Sequence, residues 1–230
     1  MLKGLFDRIS SGNTLYYPGC LTKFVLPRVD ENYRKILKAM GISYILLKDK
    51  EFCCGSPVLN AGYKKDFDDL VRKNTETFRQ FGVGRIVTNC PACFYMIKNH
   101  YSVPVEHMTT LIWKNIRRFE SGRFAGERIT YHDPCHLGRH SGIYDEPRNI
   151  LKHLGFEVVE FPQNRNLSLC CGGGGGLKTN CPSMSNDIAK SRFAELKTKK
   201  LITPCPMCYA QFKENAPKGV EVLEFSEVLV

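Results

Sequence analysis

The strongest constraint on the fold of this chain is an internal duplication, because residues 15–110 and 129–227 carry the same landmarks in the same order. Four segments of the first stretch have a counterpart in the second: LYYPGCLTKF matches ITYHDPCHLG, RKILKAMGISYILL matches RNILKHLGFEVVEF, EFCCGSP matches SLCCGGG, and RIVTNCPACFYMIKN matches KLITPCPMCYAQFKE. The matching cysteines are 115, 117, 117, 115 and 115 residues apart. We therefore predict two similar units, residues 1–126 and 127–230, with the charged segment 117–128 as the linker.

Both units show one order of elements. A short strand that ends at proline and cysteine is followed by an amphipathic helix, an apolar strand, a second amphipathic helix and a strand that leads into Cys-Pro-x-Cys. The apolar strands are ISYILL (42–47) and FEVVEF (156–161). This order predicts an α/β fold of two pseudo-symmetric, Rossmann-like units with mainly parallel sheets. The cysteines would then lie at the carboxyl ends of strands, where open α/β sheets bind ligands.

The cellular compartment and the partners are constrained by composition. A chain of 230 residues buries a core without cross-links, and the opening MLKGLFDRIS lacks the features of a secretory signal. We therefore expect a cytoplasmic, reducing compartment in which disulfides do not persist. No run of 18 apolar residues is present, so we expect no direct membrane span. The formal charge of +10 is dispersed, and ten thiolates would offset it, so we expect an anionic cofactor rather than nucleic acid as its partner.

Ten cysteines, five in each unit, are the candidate metal ligands. They are Cys20, Cys53, Cys54, Cys90 and Cys93 in the first unit, and Cys135, Cys170, Cys171, Cys205 and Cys208 in the second. A disulfide framework conflicts with the reducing compartment. A structural zinc ion takes four ligands where five are offered, and a thioredoxin-type dithiol uses only Cys-Pro-x-Cys. An iron–sulfur cluster uses all five, because neighbouring cysteines can bind different irons. Zinc in one unit stays an alternative.

From about Leu15 onward the chain resembles a pair of cysteine-rich CCG domains. These domains form the module of the B-type subunit of heterodisulfide reductase and of the iron–sulfur subunits of glycolate, lactate and anaerobic glycerol-3-phosphate oxidation. The resemblance rests on CCG and CPxC, each present twice at the spacing of the family, and on the lead cysteines in YPGC and HDPCH. It implies two non-cubane [4Fe-4S] clusters, each held by the five cysteines of one unit. It also implies an iron–sulfur redox subunit of a larger oxidoreductase complex, which acts on a small thiol/disulfide substrate and reduces the disulfide between the clusters.

The resemblance implies partner subunits as well. The ferredoxin-like segment of the glycolate-type subunits is not found here, so we expect a separate electron-delivering ferredoxin-like iron–sulfur subunit, together with a flavoprotein subunit. Membrane association, if any, would come through these partners. Two alternatives stay open. One is an electron relay in a flavin-dependent 2-hydroxy-acid oxidase, with glycolate or lactate as the source of electrons, and the other is a zinc-stabilised module without catalytic activity.

Three polar residues near Cys135 are predicted to act in catalysis. His132 and His136 flank this cysteine, and we expect them to donate hydrogen bonds to sulfur or to pass protons during disulfide cleavage. Arg139, together with Lys23 in the matching region of the first unit, is expected to meet an anionic group of the substrate.

The glycines after the cysteine pairs are also candidates. Each cysteine pair is followed directly by a glycine, Gly55 in the first unit and Gly172 in the second. A glycine at the same place in both units predicts a positive φ or a close approach of the main chain to a bound cluster. The second unit continues with glycines 173–176, and we expect these to leave an open wall through which a substrate reaches the second cluster. Cys181 has no counterpart in the repeat and is predicted to be a small buried residue. Three strand tyrosines are predicted to be core residues: Tyr16, Tyr17 and Tyr131.

Overall fold

Two parallel β-sheets form the framework of residues 12–230, which are the residues that the computed structural model describes. The segment MLKGLFDRIS, on which the expectation of no secretory signal depends, lies outside them. The first sheet has the order β1-β2-β3, with β1 Asn13–Tyr16, β2 Val83–Thr88 and β3 Val105–His107. The second has the order β5-β4-β6-β7, with β4 Arg128–Tyr131, β5 Glu157–Glu160, β6 Lys200–Thr203 and β7 Glu221–Glu224. All strand pairs in these sheets are parallel, which confirms the predicted α/β fold.

Ten α-helices are present in the described part of the chain. In the first unit they are α1 Cys20–Phe24, α2 Pro27–Ala39, α3 Ser56–Asn60, α4 Lys64–Gln80, α5 Pro91–His100 and α6 Met108–Lys114. In the second they are α7 Asp145–His153, α8 Leu177–Asn180, α9 Pro182–Ala194 and α10 Pro206–Asn215. Short 3₁₀ helices cover Lys48–Lys50, Ile116–Arg118, Arg165–Leu167 and Phe225–Val228. Within residues 12–230, no helix has both the length and the apolar character needed to cross a bilayer.

The predicted strand at residues 42–47 is wrong. Only Ile45 pairs with β1, through a single bridge to Leu15 in which Ile45 N–H donates to the Thr14 carbonyl at 2.9 Å. The chain then turns into the 3₁₀ helix at Lys48, whose φ is +50°, so the pairing does not extend. The second unit keeps the strand, because β5 pairs with all four residues of β4. The prediction also omitted β3 and β7, which are short and contain charged residues.

A shared hydrophobic core lies between the two sheets. The apolar side chains on one face of α2 are buried, namely Val29, Tyr33, Ile36 and Leu37, and they pack with residues of the second unit as well as with their own sheet. Helix α6 packs against α7, and α2 packs against Phe225–Val228, so the two contacts are related by the pseudo-symmetry of the repeat. Alternation along the strands separates this core from two outer cores, since Tyr16 faces inward whereas Leu15 and Tyr17 face outward.

Polar contacts also join the units. Tyr33 of α2 donates a hydrogen bond from its hydroxyl to Glu224 Oε1 at the end of β7, at 2.9 Å. The charged segment predicted as a linker packs on the second unit, where the ring of Phe124 stacks on Phe156 with centroids 4.4 Å apart. The boundary between residues 126 and 127 stays a prediction.

Candidate metal centres

The first site consists of the five cysteines of the first unit, which three chain segments bring together. Cys20 begins α1 after β1, Cys53 and Cys54 lie in the turn before α3, and Cys90 and Cys93 lie between β2 and the first turn of α5. Their thiols contact one another in the order Cys20, Cys53, Cys54, Cys93 and Cys90. The parallel sheet thus places all five sulfur atoms at the carboxyl ends of its strands.

The second site repeats this arrangement. Cys135 follows β4, Cys170 and Cys171 follow the 3₁₀ helix Arg165–Leu167, and Cys205 and Cys208 lie between β6 and α10. The thiols contact one another in the corresponding order: Cys135, Cys170, Cys171, Cys208 and Cys205. All eleven cysteines of the chain lie in its described part, and all are free thiols.

Main-chain N–H groups point at the sulfur atoms of both sites. Gly55 N–H donates to Cys53 Sγ at 3.4 Å, and Gly172 N–H donates to Cys170 Sγ at 3.3 Å. Hydrogen bonds from Cys20 and Cys54 lower the pKa of Cys53 to about 2, and those from Cys135 and Cys171 lower the pKa of Cys170 to about 2. The surroundings of Cys53 and Cys170, the second cysteine in the order of contacts at each site, therefore favour the thiolate, which is the form that binds metals.

Gly55 and Gly172 have φ values of +90° and +82°, so the predicted positive φ is present in both units. The close approach is to protein atoms. A Cβ on Gly55 would lie 2.5 Å from the Phe67 ring, and one on Gly172 would lie 2.7 Å from the Ser185 carbonyl oxygen. These glycines let the cysteine turns pack on α4 and α9 while their N–H groups face the sulfurs.

The amino ends of two helices face the sites. Pro91 and Pro206 occupy the first turn of α5 and α10, directly after Cys90 and Cys205, so that neither helix loses a hydrogen bond to its proline. The free N–H groups of Ala92 and Cys93 donate to Cys90 and help to lower its pKa, after the larger effect of the Cys93 thiol. The positive ends of both helices favour an anionic group at the sites.

This donor set fits an iron–sulfur cluster. Five thiols in one continuous chain of contacts exceed the four ligands of a tetrahedral zinc ion. Cysteine thiolates that accept main-chain hydrogen bonds are the ligands such clusters use, and these hydrogen bonds tune the reduction potential. Both units offer the same five thiols in the same order, so the fit applies to each.

His132 and His136 lie at the second site, but in different ways. His132 is buried, and one of its ring nitrogens lies within 4.8 Å of both Cys171 Sγ and Cys208 Sγ. Burial lowers its pKa to about 4, so the ring is neutral. His136 is half-buried, and its Nδ1 lies 3.4 Å from Cys135 Sγ. Their catalytic roles stay predictions.

Arg139 and Lys23 are both bonded to main-chain carbonyl groups. Arg139 donates to Asn166 O at 3.3 Å and also to Ser168 O, which fastens the segment that leads into the cysteine pair. Lys23 donates to Lys48 O in the corresponding place of the first unit. These contacts order the loops around the sites, and a role in binding a substrate anion stays a prediction.

Two residues that the sequence did not single out connect the sites. Tyr95, two residues after Cys93 on α5, packs against His136 and His140 with ring centroids 5.6 and 5.5 Å away. An aromatic group of the first unit thus touches the residue next to Cys135 of the second. The repeat offers no signal for Tyr95 or His140, because the residues aligned with them are Ala210 and Val25.

The prediction that Cys181 is buried is wrong. It is exposed at the junction of α8 and α9, because its main chain caps α9 and leaves the thiol outside. The three tyrosines are core residues as predicted, with exposed fractions of 0% for Tyr16 and Tyr131 and 1% for Tyr17. Glycines 174–176 are exposed, and a Cβ on Gly174 would meet no atom within 4 Å. A substrate path along this loop stays a prediction.

Comparison with known proteins finds one family match in each half of the chain. The cysteine-rich CCG domain matches twice, at residues 14–98 and 129–213. The chain is 31% identical to an EtfAB:quinone oxidoreductase of Syntrophomonas wolfei, over 94% of this chain and 34% of that protein. It is 34% identical to an uncharacterized iron–sulfur protein of Methanocaldococcus jannaschii, over 90% of this chain and 42% of that protein.

A third relative is the D-type subunit of the dihydromethanophenazine:CoB–CoM heterodisulfide reductase of Methanosarcina acetivorans. It is 28% identical over 95% of this chain and 58% of that protein. The chain thus spans 34% to 58% of the length of these three relatives. Among solved structures, glutamate racemase RacE1 of Bacillus anthracis aligns with a TM-score of 0.40 at 13% identity, over 94% of this chain and 77% of that one.

Proposed function

Because this chain belongs to the cysteine-rich CCG domain family, with one domain in each half, we propose that it is the iron–sulfur subunit of an oxidoreductase complex and holds a non-cubane [4Fe-4S] cluster at each site. The observation that carries the proposal is the pair of five-thiol sites, whose sulfurs contact one another in the same order. The relatives support the general function, since they include an EtfAB:quinone oxidoreductase and one subunit of a heterodisulfide reductase.

The clusters would be bound by the ten cysteines and stabilised by the surrounding dipoles. When bound, an iron–sulfur cluster supplies one-electron transfer. The chain contributes N–H groups from Gly55 and Gly172 and the amino ends of α5 and α10, all of which favour negative charge on the sulfurs. Zinc in one unit is the alternative occupant, and it leaves one thiol of that unit unused.

We propose that the reaction at these sites is the reduction of a small disulfide to two thiols, with two electrons and two protons taken up per disulfide. The second site has features that suit it: His136 touches Cys135 Sγ, and the loop of glycines 174–176 is exposed beside the cysteine pair. His136 is in position to hold a proton close to a ligand sulfur, where a thiolate product would need one. The electrons would come from partner subunits, an iron–sulfur protein of ferredoxin type and a flavoprotein.

The metal content tests this proposal. Protein purified without oxygen and reconstituted with iron and sulfide should contain about eight irons per chain, that is two clusters of four. A one-electron change from the [4Fe-4S]2+ state should give a paramagnetic resonance signal, because that state is itself diamagnetic. Cys53→Ser should reduce the iron content, whereas Cys181→Ser is the matched control and should leave it unchanged. Iron-free protein with one or two zinc ions, which unfolds on chelation, would show the zinc-stabilised module instead.

A second candidate function is an electron relay. It is favoured by the similarity to the EtfAB:quinone oxidoreductase, whose name includes an electron-transferring flavoprotein and a quinone. In a relay, for example in the oxidation of a 2-hydroxy acid, the flavin partner does the chemistry and this chain only passes electrons. One assay distinguishes the two candidate functions. Reduced methyl viologen supplies electrons to the reconstituted protein in the presence of a small disulfide. Release of two thiols per disulfide, absent from the iron-free protein, favours the reductase, whereas reoxidation only by a quinone or a flavoprotein favours the relay.

A further inference from the structure

The two sites differ at one buried position next to the cysteine pair. The first unit has Tyr17 there, and its hydroxyl donates to the Phe52 carbonyl at 2.6 Å. The second unit has His132 at the matching position, 115 residues later. His132 is 1% exposed, and its Nδ1 has no hydrogen-bond partner in the described part of the chain.

A buried ring nitrogen without a partner loses the hydrogen bond that water would give it, so its presence requires an explanation. His132 lies against two sulfurs of the second site, and the ligand atoms of His132, Cys171 and Cys208 are all within 4.8 Å of one another. Two donors bound to one tetrahedral metal ion at about 2.0–2.3 Å lie about 3.3–3.8 Å apart, so these three atoms would close in around a bound metal by about 1 Å or less. The ring is held in place by Phe212, whose centroid is 4.8 Å away in an edge-to-face contact.

A buried cation adds to this difference between the sites. Arg192 is 1% exposed and donates to Glu195 at 2.6 Å through Nη1, while Nε and Nη2 have no partner among residues 12–230. Its guanidinium lies 4.3 Å from the centroid of the Phe161 ring and acts electrostatically on His132. The residue 115 positions earlier is Thr77, which carries no charge. The first unit therefore has no buried cation at the position that corresponds to Arg192.

We propose that His132 binds the metal of the second site through a ring nitrogen, so that this site has a mixed sulfur and nitrogen ligand set whereas the first has sulfur alone. The inference depends on the proposed function for the identity of the metal centre. A neutral nitrogen ligand and a nearby cation both favour the reduced form of a cluster, as histidine does in place of cysteine in other iron–sulfur proteins. The second site is then the one with the higher reduction potential, where an electron delivered to the protein resides.

The test uses protein in which only histidine carries ¹⁵N, reconstituted with iron and sulfide. In the wild-type protein, paramagnetic resonance with hyperfine resolution should detect a histidine nitrogen that is strongly coupled to the electron spin of the metal centre. This first measurement requires no substitution. His132→Gln should remove this coupling, while Tyr17→Phe in the first unit should keep it. Redox titration should show that His132→Gln lowers the potential of one site and leaves the other unchanged. Circular dichroism confirms that each variant is folded.

The result that overturns the inference is protein with the full iron content and no strongly coupled nitrogen, or a coupling that persists in His132→Gln. Because the iron content is measured separately, this failure differs from failure of the proposed function. If the chain takes up no iron, cobalt(II) is added to metal-free protein with reduced cysteines, and the wild-type protein is again compared with His132→Gln. The absorption bands of bound cobalt should differ between the wild-type protein and His132→Gln, and identical bands would overturn the inference without reference to iron.

Discussion

His107 and Glu224 are equivalent residues of the two units, and both are fully buried at the carboxyl end of the last strand of their sheet. Each caps the helical turn that follows. His107 Nδ1 accepts a hydrogen bond from Thr109 N–H at 3.3 Å, and Glu224 Oε2 accepts one from Ser226 N–H at 2.7 Å. Burial disfavours the charged form of both side chains, so it lowers the pKa of His107 to about 3 and raises the pKa of Glu224 to about 7.

His107 should make the protein less stable in acid. The unfolded chain takes up a proton at this residue below about pH 6.5, while the folded protein does not until about pH 3, so the free energy of unfolding falls between these values. The shift corresponds to at most about 5 kcal/mol. His107→Asn keeps a side-chain oxygen for the helix cap and removes the titration. Urea unfolding of the two proteins at pH 4.5 and 7 should show a smaller acid loss in the variant. An equal loss in both would mean that other groups cause it.

Glu224 should have the opposite effect. The unfolded chain releases this proton above about pH 4.5, whereas the folded protein holds it until about pH 7, so this carboxyl stabilises the fold fully in acid and its contribution falls as the pH rises from 4.5 to 7. The loss is about 3 kcal/mol. Glu224→Gln remains neutral at all pH values and can still accept the hydrogen bond from Tyr33. The unfolding midpoint of Glu224→Gln minus that of the wild-type protein should increase as the pH rises from 5 to 8. A difference that does not change with pH would contradict the raised pKa of Glu224.

Breaking a buried ion pair should destabilise the second site. Arg148 donates to both carboxylate oxygens of Asp133 at 2.7 Å, and the two side chains are 4% and 2% exposed. Asp133 lies between His132 and Cys135 in sequence, so the pair fixes the loop that carries the lead cysteine. Arg148→Met leaves a buried carboxylate without its partner and should cost about 3–5 kcal/mol in unfolding free energy.

The repeat provides the control for this pair. Arg34 aligns with Arg148, but its side chain is 43% exposed, and within residues 12–230 its ion pair is with Asp30 on its own helix. Arg34→Met should therefore cost less than about 1 kcal/mol. Adding Asp133→Asn to Arg148→Met should recover part of the lost stability, because it removes the unpaired charge. Equal effects of the two arginine variants would contradict this account.

The ten thiols could be predicted from the sequence because each lies at a strand end or in a turn marked by proline or glycine. The contacts between the units could not. The apolar face of α2 indicates burial, but periodicity does not say that it packs on Phe225–Val228 of the other unit. The burial of Arg148 could not be inferred from the sequence either. The aligned Arg34 is half-exposed, and the difference comes from the tertiary partners that the two side chains meet. Ile42 to Leu47 has the apolar character of a strand, and the turn at Lys48 prevents the pairing.

The glycine loop offers a contrast between two neighbouring positions. Gly174 has no positive φ, and a Cβ there would meet no atom within 4 Å, whereas Gly172 has a φ of +82° and a Cβ there would lie 2.7 Å from Ser185 O. Gly174→Val should therefore leave the iron content and the unfolding midpoint unchanged. Gly172→Ala should lower both, because the strained turn also carries the N–H that donates to Cys170 Sγ.

Activity then tests whether the loop is the path of the substrate. If a small disulfide reaches the second site past glycines 174–176, the valine side chain narrows that path, and kcat/KM for disulfide reduction should fall about tenfold or more while the spectra of the clusters stay the same. A fall of that size is about 1.4 kcal/mol in transition-state stabilisation, which a single steric contact supplies. Transfer of electrons to a protein partner that docks elsewhere should be unaffected. Unchanged disulfide kinetics in Gly174→Val would place the path of the substrate on another side of the site.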